Sequence, residues 1–211
     1  LEFRRVLFRS LRSFRAEKLS AFVHSLLAID GNAASIYEEI KDRYPIVLTR
    51  DMEKAKRWIH EKARGNERTG VLITKESARY KPLGIHVLPS DDDNAVHWFL
   101  DDITDTRSSN YLEDAATEIQ VQGLELEYTC VLWDADMRFE GGNWKYYTFN
   151  RKWNELKADT ESKADRMKYM LNAYRVLMTR ARSGMIICVP EGNPHKSENG
   201  FWEDETRLPD Y

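Results

Sequence analysis

Apolar positions along this chain repeat with two periods. Leu19, Phe22, Val23, Leu26 and Leu27 share one face of a helix that Asp30-Gly31-Asn32 should end. A second helix is expected over about Ala33–Arg43, stopping before Pro45. Ile46-Val-Leu48 reads as a buried strand. Asp51 then caps a helix carrying Met52, Ala55, Trp58, Ile59 and Ala63. Val71-Leu-Ile73, Ile85–Leu88, Thr117–Val121 and Thr129–Trp133 read as further strands, and the acidic stretch Ser90–Asn110 as a loop or a partly helical excursion. Met137–Asn150 holds Glu140-Gly-Gly-Asn143 between aromatic runs, which predicts a protruding β-hairpin, followed by a polar connection over Arg151–Thr160. Met167, Met170, Leu171, Tyr174, Leu177, Met178 and Ala181 form one stripe on a long helix, which Gly184 should end before the strand Met185–Val189. Strands alternating with helices predict parallel pairing with helices on both faces, an α/β class of three layers with a small hairpin insertion.

Length and charge narrow the picture without naming a function. The 211 residues suit one large domain, and 42% hydrophobic with 32% charged residues is ordinary for a globular protein. The formal net charge of −3 argues against a surface that binds polyanions everywhere, while leaving room for a local basic groove. Charge is uneven: Leu1–Arg15 has five arginines and one acid, and Asp91–Asp105 has six aspartates and no lysine or arginine. Residues 1–10 resemble translated cloning-adapter DNA and are set apart as a non-native leader, the rival reading being a basic arm. The main domain is expected over 11–190, with an irregular tail over 191–211. Cys130 and Cys188 sit inside apolar runs and read as reduced core residues of a cytoplasmic protein. The five histidines lack ligand spacing, so no metal site is assigned, and no apolar run is long enough to span a bilayer.

Two polar clusters carry the candidate chemistry. In open parallel sheets, ligands bind beyond the carboxyl ends of strands. Thr49-Arg50 follows one strand and Gln122-Gly-Leu-Glu125 follows another, so both are expected at that edge. Glycine at 123 lets backbone N–H groups approach phosphate oxygens, with Gln122 and Glu125 holding a ribose or a water. A hydrogen-bonded turn explains the same residues equally well. Thr179-Arg-Ala-Arg182 has two readings of the same kind. One is basic residues complementing a helix dipole; the other is an arginine finger for a γ-phosphoryl group brought by another domain. No Gly-x-x-x-x-Gly-Lys-[Ser/Thr] phosphate loop occurs in the 211 residues.

Taken in order, four elements resemble the second motor domain of superfamily-one helicases. They are Ser13-Phe-Arg-Ala16, Ile46-Val-Leu-Thr-Arg50, Thr117 through Glu125, and Met178-Thr-Arg-Ala-Arg182. More narrowly, Arg107-Ser-Ser, Ala116-Thr-Glu, Val121-Gln-Gly-Leu-Glu-Leu, Trp133-Asp-Ala-Asp and Asn172 through Arg182 are similar to the bacterial Schlafen-like DNA/RNA helicase domain family. The resemblance implies a RecA-like fold of the P-loop NTPase type. It implies that Arg15 and Arg180 reach an ATP γ-phosphate, that Gln122, Gly123 and Glu125 meet the nucleotide, and that Thr49, Arg50 and Thr117 lie near the backbone of bound single-stranded DNA or RNA. ATP with Mg would be held mainly by an N-terminal RecA-like domain of the same parent, which carries the phosphate loop. The family's pattern has a histidine where this chain has Ile119. Rival readings are an ATP-driven switch that does not unwind, and a nucleic-acid-binding module without a motor. Trp144, Tyr146 and Tyr147 on the expected hairpin are the candidates for base stacking; Trp58 and Trp133 read as core.

Overall fold

The computed structural model describes residues 16–77, 80, 84–89, 92–150 and 152–189. Arg15, the leader and the tail fall outside them. Helix α1 covers 16–28 and α2 covers Ala33–Ile40. The turn between them is built by Asp30, whose Oδ1 accepts from Asn32 N–H at 2.9 Å, and by Gly31 at φ +83°. Strand β1 (Ile46–Thr49) leads to α3 (Met52–Lys62), where Asp51 caps by accepting from the N–H groups of Glu53 and Lys54. Then come β2 (Thr69–Ile73), β3 (His86–Val87), α4 (Asp92–Leu100), β4 (Asp114–Thr117) and β5 (Leu126–Leu132). An insertion of β6 (Met137–Glu140), β7 (Asn143–Asn150) and β8 (Lys152–Leu156) precedes α5 (Glu161–Met178) and β9 (Ala181–Cys188).

Six strands form one sheet in the order β1-β9-β5-β2-β4-β3, every pair parallel. Successive side chains along a strand point to opposite faces, and the two cores follow that alternation. Leu72, Ala116, Val131 and Met185 face α1, α2, α5 and Trp98 of α4. Val71, Ile73, Ala115, Cys130, Leu132, Ile186 and Cys188 face Ala55 and Ile59 of α3 with Tyr80, Ile85 and Leu112. The result is a three-layer RecA-like α/β fold. No helix among the described residues is long and apolar enough to cross a membrane.

Four local expectations need correction. Ile46-Val-Leu48 is not a buried strand: β1 lies at the margin of the sheet, and Leu48 is 71% exposed. The strand expected over Thr117–Val121 ends at Thr117, because the Gln120 side chain turns back. Its Oε1 accepts from Thr117 N–H at 2.9 Å and from the Thr117 hydroxyl at 3.1 Å. Gly184 does not end the long helix. α5 stops at Met178, and Gly184 sits inside β9, where a Cβ would stand 2.9 Å from Pro45 Cγ. The hairpin gains a third strand from the supposed polar connection, and it is docked rather than protruding. Trp144 Nε1 donates to Leu27 O of α1 at 3.0 Å, and Tyr146 is buried.

Close approach also explains Gly70 in β2. A Cβ there would lie 2.7 Å from Cζ2 of Trp98, a buried ring anchored by its Nε1 donating to Asp114 O at 3.0 Å. A ring fixed at both ends cannot yield, so Gly70→Ala should destabilise the fold by about 1–3 kcal/mol. Urea unfolding should show a lower midpoint at unchanged slope. An unchanged midpoint would mean that Trp98 does not occupy this seat.

Candidate functional site

Strand register sorts the candidate residues onto two edges. Thr49 pairs with Cys188, Cys188 with Leu132, and Ile73 with Thr117, so Thr49 and Thr117 stand level at the carboxyl edge. Four strand spacings of about 4.8 Å put them roughly 19 Å apart. Leu126 pairs with Ala181, so Glu125 and Arg180 both lie at the amino edge. The expectation that Gln122–Glu125 would sit at the carboxyl edge therefore does not hold for Leu124 and Glu125, while Gln122 follows a turn in which Val121 N–H donates to Thr117 O at 3.1 Å. Residues 118–125 leave Thr117 and descend the sheet, because the parallel strand β5 must start at the opposite edge from where β4 ends.

At the amino edge the two polar clusters meet. Arg182 Nε donates to Glu125 Oε2 at 2.6 Å, Leu126 N–H donates to Arg180 O at 3.0 Å, and Arg180 Nη1 donates to Leu124 O at 3.4 Å. Gln122 and Gly123 are exposed beside them, and Gly123 has φ +84° with nothing within 4 Å of where a Cβ would be. The open backbone and two guanidinium groups present hydrogen-bond donors at this edge. The described residues contain no cluster of His, Cys, Asp and Glu suited to a metal. Arg180 also donates from Nε to Val176 O at 3.1 Å, so its guanidinium caps the end of α5 as well.

The carboxyl edge holds Thr49, Arg50 and Thr117. Thr49 Oγ1 accepts from Asp51 N–H at 3.1 Å, and Thr117 is buried with its hydroxyl held by Gln120. Between them, in front of β2 and β5, lies a group of side chains that the sequence did not single out. Lys75 N–H donates to Glu118 Oε2 at 3.0 Å, and the Tyr169 hydroxyl donates to Glu118 Oε1 at 2.7 Å. The Lys75 ammonium stands 4.2 Å from the centre of the Tyr169 ring, and Arg166 pairs with Glu76 at 2.9 Å. The one available signal was Tyr169 falling off the apolar stripe of its helix, an aromatic where a polar residue would serve.

Behind that edge is a buried polar network. Asp136 accepts from the Thr74 hydroxyl at 2.7 Å and from the Tyr174 hydroxyl, and Tyr174 in turn accepts from Asp134 N–H at 3.1 Å. Thr74 also bonds Ser77, which holds the turn bearing Lys75. The Tyr174 ring stacks on Trp133 with centres 4.1 Å apart, and Trp133 continues to Trp144, so the network ties α5 to the insertion. Trp144 and Tyr146 are thereby committed to packing. Tyr147 faces Arg138, whose guanidinium lies 3.6 Å from its ring centre. None of these three offers a bare ring to a base.

The family described as Schlafen group 3, DNA/RNA helicase domain, matches residues 2–191. The chain belongs to that helicase domain family. Comparisons with curated proteins and with solved structures returned no match. The segments of the helicase domain that carried the resemblance lie at both edges of the sheet: Leu124 and Glu125 with Arg180 and Arg182 at one, Thr49 and Thr117 at the other.

The network gives the helicase domain a measurable pH response. Burial, then the neighbouring Asp134, raises the Asp136 carboxyl to about 7 against the lowering effect of the Tyr174 and Thr74 hydrogen bonds. In the unfolded chain the same carboxyl ionises near an ordinary aspartate value of about 4. Between those values the native state holds a proton that the unfolded state has lost, so stability should fall as pH rises from about 4 to about 7. Denaturant midpoints measured across that window should decline for the unsubstituted chain and decline less for Asp136→Asn. Equal declines would place the proton elsewhere.

Proposed function

We propose that this chain is the C-terminal motor half of an ATP-dependent, superfamily-one-type helicase or translocase acting on single-stranded DNA or RNA. Support comes from one observation above all: the loop 122–125 and the pair Arg180 and Arg182 converge at a single edge, joined by the Arg182–Glu125 ion pair and the Arg180–Leu124 hydrogen bond. A pair this exposed contributes about 0–1 kcal/mol to stability, so folding gains little from the Arg182–Glu125 contact itself.

In this reading a nucleotide-holding domain of the same parent closes on the amino edge. Its phosphate loop and metal ligands hold ATP with Mg, and Mg-ATP supplies the phosphoryl group whose charge must be stabilised. Arg180, with Arg15, takes up the γ-phosphate charge. Gln122, Gly123 and Glu125 contact the rest of the nucleotide. Thr49, Arg50 and Thr117 grip the strand at the carboxyl edge. Residues 118–125 join the two edges directly, so a shift of Leu124 and Glu125 is transmitted to Thr117.

A second reading has its own observation. The Arg180 guanidinium already serves the end of α5 through Val176 O, as it would in a binding module with no motor. Kinetics separate the two. The 211-residue chain alone should show no measurable ATP turnover. In the complete parent, Arg180→Ala should lower turnover by on the order of 10³–10⁵ with a much smaller loss of ATP affinity. Arg182→Ala should be far milder. Arg180→Lys should not rescue, because an ammonium lacks the planar fork of guanidinium. No turnover in the complete parent would favour the binding module, near-normal turnover in both Arg180→Ala and Arg182→Ala would remove the motor reading, and a lowered unfolding midpoint with intact turnover in Arg180→Ala alone would reduce Arg180 to its helix-end role.

A further inference from the structure

We propose that Tyr169 is a stacking platform for an unpaired base, with Lys75 as the cation that contacts the adjoining phosphate. The inference rests on the nucleic-acid part of the reading above and assigns it a base contact. Tyr169 is 38% exposed at the carboxyl edge, and its hydroxyl is fixed by Glu118, the residue next to Thr117. Burial, then Glu118, raises the phenol above its ordinary range, so the ring stays neutral and its hydroxyl stays a donor. Ring orientation is therefore set before any strand arrives.

Lys75 is exposed, and its ammonium lies over the ring at 4.2 Å. An exposed cation–π contact contributes about 0.5–1 kcal/mol. Stacking a base on an aromatic ring contributes about 1–3 kcal/mol. A base arriving at the ring can therefore displace the ammonium at a net gain, and the displaced lysine lies within reach of the phosphate that the base brings. The nearby acids do not oppose this strongly. Glu76 is paired with Arg166, and Glu118 is buried and accepts from both Lys75 N–H and the Tyr169 hydroxyl. Thr74 and Ser77, held by Asp136, keep the turn that carries Lys75 in place. Ile119, 57% exposed on the same loop, adds an apolar surface but no ring. Trp144 and Tyr146 are committed to packing and Tyr147 to Arg138, whose side chain is largely buried, whereas the cation over Tyr169 is the exposed Lys75.

The test uses the 211-residue chain and two labelled single strands of equal length and charge at low salt, one of thymidines and one containing abasic sites throughout. Fluorescence anisotropy should show the thymidine strand binding about 5- to 150-fold more tightly, the range expected for one stacked base. Tyr169→Ala should bring thymidine binding down to the abasic level without changing abasic binding. Tyr169→Phe should keep the preference, and Tyr169→Leu, which preserves apolar bulk but has no ring, should lose it. Lys75→Ala should weaken both strands and reduce the salt slope by about one. Equal affinity for the two strands, or equal weakening of both by Tyr169→Ala and Tyr169→Leu, would overturn the stacking role while leaving the phosphate contacts standing. If the unsubstituted chain binds neither strand, the nucleic-acid reading falls together with this one.

Discussion

Parallel pairing throughout the six-stranded sheet is the constraint on which the rest of this molecule depends. A parallel strand can follow another only if the connection travels the full depth of the sheet, so each crossover links the carboxyl edge to the amino edge. Here the connection from β4 to β5 is eight residues with no helix in it, and those residues include the family's polar signature. One end is anchored by Gln120 beneath Thr117, and the other by Arg180 and Arg182 at Leu124 and Glu125. That segment is therefore short and tied at both ends.

A second feature keeps the far edge rigid. Asp134, Asp136, Tyr174 and Thr74 form a buried polar network whose hydrogen bonds only partly offset the cost of burying the Asp136 carboxyl. Trp133 sits between Tyr174 and Trp144, and Trp144 reaches α1 through Leu27. The insertion, α5 and α1 thus share one support behind β5. The same network steadies the turn bearing Lys75, so the carboxyl edge presents its exposed groups from a fixed base even though the insertion is an antiparallel addition to a parallel fold.

The two arginines of the amino edge are held differently. Arg182 and Glu125 are exposed and screened, so a competing anion or ribose hydroxyl can exchange with either at small cost. Arg180 is half-buried and bound to main-chain oxygens at the end of α5 and in the 118–125 loop. Withdrawing it toward a phosphate would release Leu124 O, which is where a chemical event at the amino edge would first be felt by the loop.

Much of the architecture was legible in residue order. Periodicity marked α1, α3 and α5, the apolar runs marked β2, β5 and β9, and alternation with helices implied the parallel three-layer class, because burial on one stripe or on both faces leaves its period in the sequence. The polar clusters were legible too, although a hydrogen-bonded turn accounted for Gln122–Glu125, and helix-end charges for Arg180 and Arg182, on the same residues. What residue order did not reveal was where side chains from distant segments meet. Leu48 looked buried because a marginal strand and a central one read alike. Gly184 looked like a helix end because its neighbour Pro45 is distant in sequence and close only across the sheet. Trp144 and Tyr146 looked available, and Tyr169 drew no notice, because exposure depends on what other elements cover. The descent of residues 118–125 to the amino edge follows from the register of β4 and β5 against β2. Register is a property of pairing between strands, and only the folded sheet decides it.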